Sequence, residues 1–303
     1  MVNRDYFVKE LEDIREVPTL PQVAFQLIAL ISDEKSSMRE ISNLIEDDPP
    51  LVAKILRIVN SGYYHLRNDI KNIRQAVVIL GLEELRNVIF ALSVFSTFYH
   101  VKESEYFSFL RFWKHSAATG KIAVAINKYL GIELPHSTFI SGLLHDFGRL
   151  ILQLYFREEY EKVFAHCISN NRQLVQAEKE VMGFGHDEAG YWLAQKWNLP
   201  DYLSDIILNH HQIRPGEVAK NPLLAIIHIA DRITNIWGIG IEPMPVMEML
   251  EENPIWLELQ QLYPRLQTFP LEEMTRVFDM HLEEAETFVE HISQMHQVVE
   301  DAV

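Results

Sequence analysis

Seven side chains in the middle of the chain have the types and spacing of metal ligands: His115, the pair His145-Asp146, His186, the pair His210-His211, and Asp231. All are imidazoles or carboxylates, a nitrogen and oxygen set that iron, manganese, nickel or zinc accepts without a thiolate. The set is too large for one tetrahedral ion. It suits either a single octahedral ion or two ions sharing a bridging carboxylate. Each candidate sits in or beside a segment with helical periodicity, so the chemistry depends on separate helices bringing distant residues together.

His145-Asp146 lies in ISGLLHDFGRLILQL, an apolar stretch that reads as one helical run. A carboxylate buried there costs several kcal/mol unless paired or metal-bound, so Asp146 needs a partner. Helical neighbours point about 100° apart, so an ion shared by the two must lie over the edge between them. Gly142 and Gly148 flank the pair and allow another helix or a ligand to approach. His115 follows Phe112 in FLRFWKHSAATGKIAV, with Ala118 and Ile122 at neighbouring face positions, and alone would read as a core histidine. His186 stands where a Gly-rich loop enters a helix. Asp187 and Glu188 then occupy the first turn, where the helix dipole favours acids, so they read as capping and not ligating. His210-His211 close the helix DYLSDIILNHHQ; consecutive imidazoles splay, so either two ions take one each or one ligand is backed by its neighbour. A helix C-terminus attracts histidines on dipole grounds as well. Asp231, in LLAIIHIADRITNIW, is a carboxylate inside an apolar helix, suited to a metal or a buried salt bridge, with His228 one turn earlier as a supporting group. His65, His100, His136, His166, His281, His291 and His296 lack such context and read as structural or surface residues.

The elements that must position these groups are helices throughout. Val23, Leu27, Leu30 and Ile31 share one face after the start signal at Pro18 and Pro21. Ser36 or Ser37 can cap REISNLIED, which stops at Asp47-Asp48-Pro49-Pro50; Leu51, Ile55, Leu56 and Val59 form the next apolar stripe, ending at Asn60-Ser61-Gly62. Ile73, Val77 and Leu80 precede Gly81, and Leu85, Val88 and Leu92 follow it, as in a tight helix–turn–helix. A charged, aromatic stretch at 100–112 leads to the histidine-bearing helices. Beyond Trp237, Gly238-Ile239-Gly240 with Pro243 and Pro245 marks a boundary. The tail is expected to resume helix at Val246–Glu252, break at Pro254, and end in a long acidic helix from about Leu271. Period-two alternation is scarce and no Asn-Gly hairpin dipeptide occurs, so no sheet is expected. No Gly-rich phosphate loop or Gly-x-Ser-x-Gly elbow is present.

A chain of 303 residues that is 48% hydrophobic can bury a substantial core. Cys167 is the only cysteine, and no apolar run or leader of membrane or secretory type is visible, which points to a reducing cytoplasm. Net charge is −16; from Ile241 onward there are fourteen acids against Arg265 and Arg276 alone. Such a chain is a poor general polyanion binder, so nucleic acid is the weakest partner class. Residues 49–100 differ, with Lys54, Arg57, Arg67, Lys71, Arg74 and Arg86 outnumbering Asp69, Glu83 and Glu84; this is a solvated helical face or a local docking patch.

The order His, His-Asp, His, His-His, Asp on helices resembles the HD superfamily of metal-dependent phosphohydrolases, and the fuller sequence is similar to its HDOD branch of bacterial signalling and regulatory proteins. VPTLPQVAFQLIALI, DDPPLVAKILRIVNSGYY, LGLEELR, GLLHDFGRLIL, HDEAGYWLAQKWNLP and NHH carry the resemblance, which covers roughly residues 15–235. It implies that His115, His145, Asp146, His186, His210, His211 and Asp231 match the set that holds a binuclear centre in the related HD-GYP phosphodiesterases. Two features depart from those enzymes. Arg149 stands where a lysine is expected after the His-Asp motif, a cation of different reach, and HHQIRPGEVAKNP lacks the Gly-Tyr-Pro segment.

The expected protein is therefore all-α: an N-terminal helical lobe (1–105), an HD-like metal-binding bundle (106–240) and an acidic helical extension (241–303). The favoured function is a regulatory or signal-transduction module retaining one or two transition-metal ions, iron first and manganese, nickel or zinc after it. It would take a phosphorylated small molecule as ligand and a protein as partner. The enzyme alternative is a phosphohydrolase acting on a nucleotide or cyclic dinucleotide, in which Asp146 bridges two ions while Lys121 or Arg149 steadies the phosphate.

Overall fold

The computed structural model of the protein describes residues 4–31, 38–46, 48–60, 64, 66, 68–243, 249–268 and 271–300. Among them there is no strand, and the fold is all-α. The elements run α1 (Arg4–Asp13), α2 (Gln22–Ile31), α3 (Met38–Glu46), α4 (Pro49–Val59), α5 (Ile73–Leu80), α6 (Leu82–Phe98), α7 (Phe109–Leu130), α8 (Thr138–Leu144) and α9 (Gly148–Tyr155). They continue with α10 (Arg157–Asn170), α11 (Leu174–Val181), α12 (His186–Lys196), α13 (Asp201–Asn209), α14 (Pro222–Ile236), α15 (Pro254–Leu262), α16 (Pro264–Gln267) and α17 (Leu271–Glu300). No described helix is long and apolar enough to cross a membrane.

Local chemistry explains most boundaries. Asp48 caps α4 by accepting from Leu51 N at 3.0 Å, and Pro49 and Pro50 fill the first helical positions, where a missing N–H costs nothing. Asn60 ends α4 and clamps Ile70, donating to its carbonyl at 2.8 Å and accepting from its N–H at 2.6 Å. Gly81 alone joins α5 to α6 at φ 84°, a backbone conformation that side chains resist. The second helix of this pair is 17 residues long and buried over much of its surface, a packing element in place of a short surface unit. Ser36, Ser37 and the side chains of Leu27, Leu30 and Ile31 fall outside what is described.

α7 is the axis of the fold, packed by α8, α14 and α17. Its middle, Ser116-Ala117-Ala118-Thr119-Gly120, is small and buried, which lets neighbours approach closely. A Cβ on Gly142 of α8 would lie 2.6 Å from Gly120 Cα, so these two backbones touch. α12 packs on α9 and α13, α10 on α11, and α6 joins the N-terminal helices to α8. One apolar core runs from Leu11 to Ile292 through all of them. α17 seals it with Met274, Phe278, Leu282, Ala285, Phe288, Val289 and Ile292, while its acids face outward or pair with Lys114 and Lys121.

Three local expectations are corrected. The run ISGLLHDFGRLILQL is not one helix: α8 ends at Leu144, residues 145–147 form a turn, and α9 begins at Gly148. Gly148 makes the break necessary, because it sits against the His186 carbonyl and Gly190 of α12, a contact an uninterrupted α8 would not deliver. Pro254 does not break a helix but starts one, with Asn253 accepting from Ile255 N and Trp256 N at 3.0 and 3.1 Å. Ahead of it, Leu250–Glu252 is a single 3-10 turn, and residues 244–248 are not described.

Candidate metal centre

Five elements converge on one buried point. α7 supplies His115, the α8–α9 turn His145 and Asp146, the start of α12 His186, the end of α13 His210 and His211, and the middle of α14 Asp231. His115, His145, His186 and His210 have 0% exposure, Asp146 1% and Asp231 2%; of the seven, His211 alone is partly exposed.

Asp146 is the hub. Its Oδ2 lies 3.4 Å from His115 Nε2 and 3.7 Å from His145 Nε2; its Oδ1 lies 3.0 Å from His186 Nε2 and 3.5 Å from His210 Nε2. Asp231 Oδ1 closes the first side, 3.2 Å from His115 Nε2 and 3.6 Å from His145 Nε2. On the second side His211 Nε2 is 3.0 Å from His186 Nε2. Two groups of potential ligand atoms result, His115/His145/Asp146 and Asp146/His186/His210/His211, sharing one carboxylate.

The paired histidines do not splay. α13 stops at Asn209, so both rings sit on the turn beyond it, with centroids 4.0 Å apart, and both face His186. Asp187 and Glu188 stay outside the centre: Asp187 accepts from Lys179 at 2.9 Å, and Glu188 holds Arg4 at 2.8 Å.

The imidazoles are oriented from behind. His115 Nδ1 meets Ile239 O at 3.2 Å, His145 Nδ1 meets Gly142 O at 2.6 Å, and His210 Nδ1 meets Ile207 O at 2.9 Å. Carbonyls only accept, so each Nδ1 carries a hydrogen and each Nε2 faces inward. His186 Nδ1 finds a carboxylate instead, Glu178 Oε2 at 2.6 Å, and the same oxygen takes the His186 backbone N–H at 2.9 Å. His228 Nδ1 donates to His210 O at 2.7 Å, and Asn235 holds Asp231 Oδ1 at 2.7 Å.

Glu178 has no counterpart in the sequence reading. It lies in LVQAEKEV, where acids and bases alternate as on a solvated face, yet it is fully buried. With Arg149 and Tyr160 it forms an internal cluster: Arg149 donates to Asp146 Oδ2 at 2.8 Å and Glu178 Oε1 at 3.3 Å, and Tyr160 donates to Glu178 Oε1 at 3.1 Å. Arg149 is therefore on the rim of the centre, bound to carboxylates. Lys121 is elsewhere, its Nζ 3.8 Å from Glu84 and 3.7 Å from Glu284. It is six residues beyond His115, which on a helix turns it about 120° away.

Electrostatics and satisfaction agree on what is missing from a pure protein site. Burial pushes Asp146 up, but Arg149, His145 and His186 hold it well below the usual carboxylate range. Asp231 is likewise held low against burial, by His115 and His145. Burial opposes charge on the imidazoles, yet His115, beside Asp146 and Asp231, is pushed up to about 9, as is His186 beside Glu178 and Asp146. His210 and His211 are pushed down, first by burial. Four buried atoms facing the centre, His115 Nε2, His145 Nε2, Asp146 Oδ1 and Asp231 Oδ2, have no hydrogen bond of good geometry among the described residues, despite the short separations above. Each such atom costs about 1–3 kcal/mol. Metal ions held by these imidazoles and carboxylates would satisfy such atoms, so the donor set fits a metal.

The chain belongs to the HDOD-domain family, whose model matches residues 17–213. That match includes six of the seven residues and ends before Asp231. An HDOD-domain protein of unknown function from Geobacter sulfurreducens superposes with TM-score 0.79 at 25% identity, covering 95% of this chain and 96% of that one. A protein from Shewanella amazonensis named as a candidate phosphohydrolase superposes with TM-score 0.69 at 23% identity, covering 96% and 98%, and so shares the fold. An uncharacterised protein of Treponema pallidum is 25% identical over 219 residues, 72% of this chain and 42% of that protein. The chain spans less than half the length of the curated relatives it matches.

Proposed function

We propose that this HDOD chain is a regulatory, signal-transducing protein built around a buried transition-metal centre, with iron the first candidate for the ion. Asp146 would bridge two positions, one completed by His115, His145 and Asp231, the other by His186, His210 and His211. Ions bound there supply Lewis-acid charge, able to polarise phosphoryl oxygens and acidify water. Glu178 fixes the tautomer of His186, and Arg149 ties Asp146 to Glu178, so the shell is held before any ion arrives.

The observation that carries the regulatory reading is enclosure. Six of the seven ligands are at most 2% exposed, and the two cations available for a phosphate are engaged, Arg149 by Asp146 and Glu178 and Lys121 by Glu84 and Glu284. A phosphodiester needs an entrance and a free cation. The centre's state would pass outward through the five helices that meet at it, to a protein docked on the N-terminal helices; there Val78 and Ile79 are 77% and 54% exposed beside Arg74. The acidic net charge disfavours nucleic acid as that partner. The single buried thiol, Cys167, suits the cytoplasm.

The enzyme reading has one observation of its own: the two oxygens of Asp146 face two separate histidine groups, as a two-ion hydrolase requires. Metal content of the purified, unsupplemented chain, followed by assays on phosphomonoesters and cyclic dinucleotides with iron or manganese, separates the two. Full occupancy without turnover is expected. Turnover abolished by Asp146→Ala would establish the phosphohydrolase.

A further inference from the structure

Remote from the metal centre, a cavity of 230 Å³ opens between α6 and the connector that leads into α8. It is smaller than the ~300–1,000 Å³ of drug-sized ligand sites, so its occupant is compact. Its walls are rich in donors. Arg86 and Asn87 come from α6, His136 and Ser137 from the connector, and Glu83 stands at the exposed rim.

Two of these groups lack protein partners. Asn87 is 7% exposed, and its amide makes no hydrogen bond among the described residues; Arg86 is half-buried and makes neither a hydrogen bond nor an ion pair among them. The polar atoms of both are open to the cavity, where an occupant can take them up. Burial lowers the Arg86 pKa, with Glu83 offsetting part of the effect. Ser137 Oγ accepts from Ile140 N at 3.3 Å, which leaves its own proton to donate. His136, kept below its ordinary pKa mainly by burial, is tied to the Pro135 backbone by a hydrogen bond and forms part of the wall.

We propose that this cavity binds a phosphate group, either the free ion or a small phosphomonoester, with Arg86 as the charged fork and Asn87 and Ser137 as neutral donors. A guanidinium meets two oxygens of a tetrahedral oxyanion at once, and the neutral donors can take the others. The placement gives the site a second property. Ser137 caps α8, whose other end delivers His145 and Asp146. His136 stacks on Tyr202 with centroids 3.8 Å apart, and Tyr202 lies at the start of α13, whose other end delivers His210 and His211. An occupant of the cavity thus braces the same two helices that carry four of the metal ligands. Coupling between two sites is reciprocal, so phosphate and metal would each shift the other's affinity.

The site is independent of the metal centre's role and is tested on the full chain by isothermal titration with inorganic phosphate, against sodium chloride at matched ionic strength. Saturable one-to-one binding is expected, weakened at least about tenfold by Arg86→Gln, as loss of a charge-assisted contact implies. Arg86→Lys, which preserves the charge and tests for misfolding, should fall between. Chelator-stripped protein should still bind phosphate, with an altered affinity. Absence of saturable binding overturns the proposal. So does binding that vanishes with the metal and ignores Arg86→Gln, which would place the phosphate at the histidine centre. Succinate binding as tightly as phosphate would overturn the assigned ligand class.

Discussion

Gly148→Ala tests whether the helix break at the His-Asp motif exists to seat α12. A methyl at Gly148 would fall onto the His186 carbonyl and lie 2.9 Å from Gly190 Cα. Carbon pairs rest at about 3.5–4.0 Å, so α9 and α12 must part by on the order of 1 Å. His186 rides on the first residue of α12 and approaches Asp146 at 3.0 Å. Metal ligation tolerates only about ±0.2 Å, so the displacement removes His186 from any shared ion. Overpacking of this kind costs about 1–3 kcal/mol in stability. The expected outcome is a lower Tm together with loss of metal from the side completed by His210 and His211, read by elemental analysis and titration calorimetry. Gly81→Ala is the control: the same added methyl, open space around it, but φ 84° and ψ 161°, a region almost confined to glycine, so it strains the α5–α6 joint at a cost of about 1–3 kcal/mol and leaves metal binding alone. If Gly148→Ala keeps full metal content and wild-type affinity, the reasoning about α9 and α12 is wrong.

Glu178→Gln keeps the shape of the side chain but weakens the hold on His186, and metal affinity should drop roughly 10–100-fold with the fold intact by circular dichroism; an unchanged affinity would reduce Glu178 to a packing residue. In metal-free protein, His115 and His186 stay protonated up to about 9, above their ordinary value near 6.5. Their stabilising contribution is thus complete below about 6.5 and disappears as pH rises through about 9, while metal affinity climbs over the same interval because the ion displaces those protons. Calorimetry in buffers of different ionisation enthalpy should show about two protons released per loaded centre near neutral pH, and no release would refute the assignment. Asp48→Ala, which removes the α4 cap, should cost about 1 kcal/mol in urea unfolding and leave metal content unchanged.

The candidate ligands were legible in the sequence because histidines and carboxylates are conspicuous in apolar helices, where each demands a partner. The supporting shell was not. Glu178 sits among alternating charges that look solvated, and only the return of the chain at Gly183 and Gly185 brings it under His186. The carbonyls of Gly142, Ile207 and Ile239 that orient three rings have no side-chain signature at all. Helix continuity through His145-Asp146 was misread because apolar periodicity persists on both sides of the turn, and what breaks it is a tertiary contact at Gly148. Pro254 is ambiguous by nature, ending one helix or beginning the next, and Asn253 decides it as a cap. Lys121 shows the limit of residue type alone: a cation near a candidate ligand in sequence pairs with Glu84 and Glu284 on another face of α7.

The partial exposure of His211 bears on time and not on affinity. With every other candidate ligand enclosed, traffic of ions in or out must pass that one ring or wait for α13 to loosen at its end. A centre so enclosed would exchange its contents slowly. The protein would then preserve a record of the ion supply present when it folded, outlasting later swings in the surrounding pool.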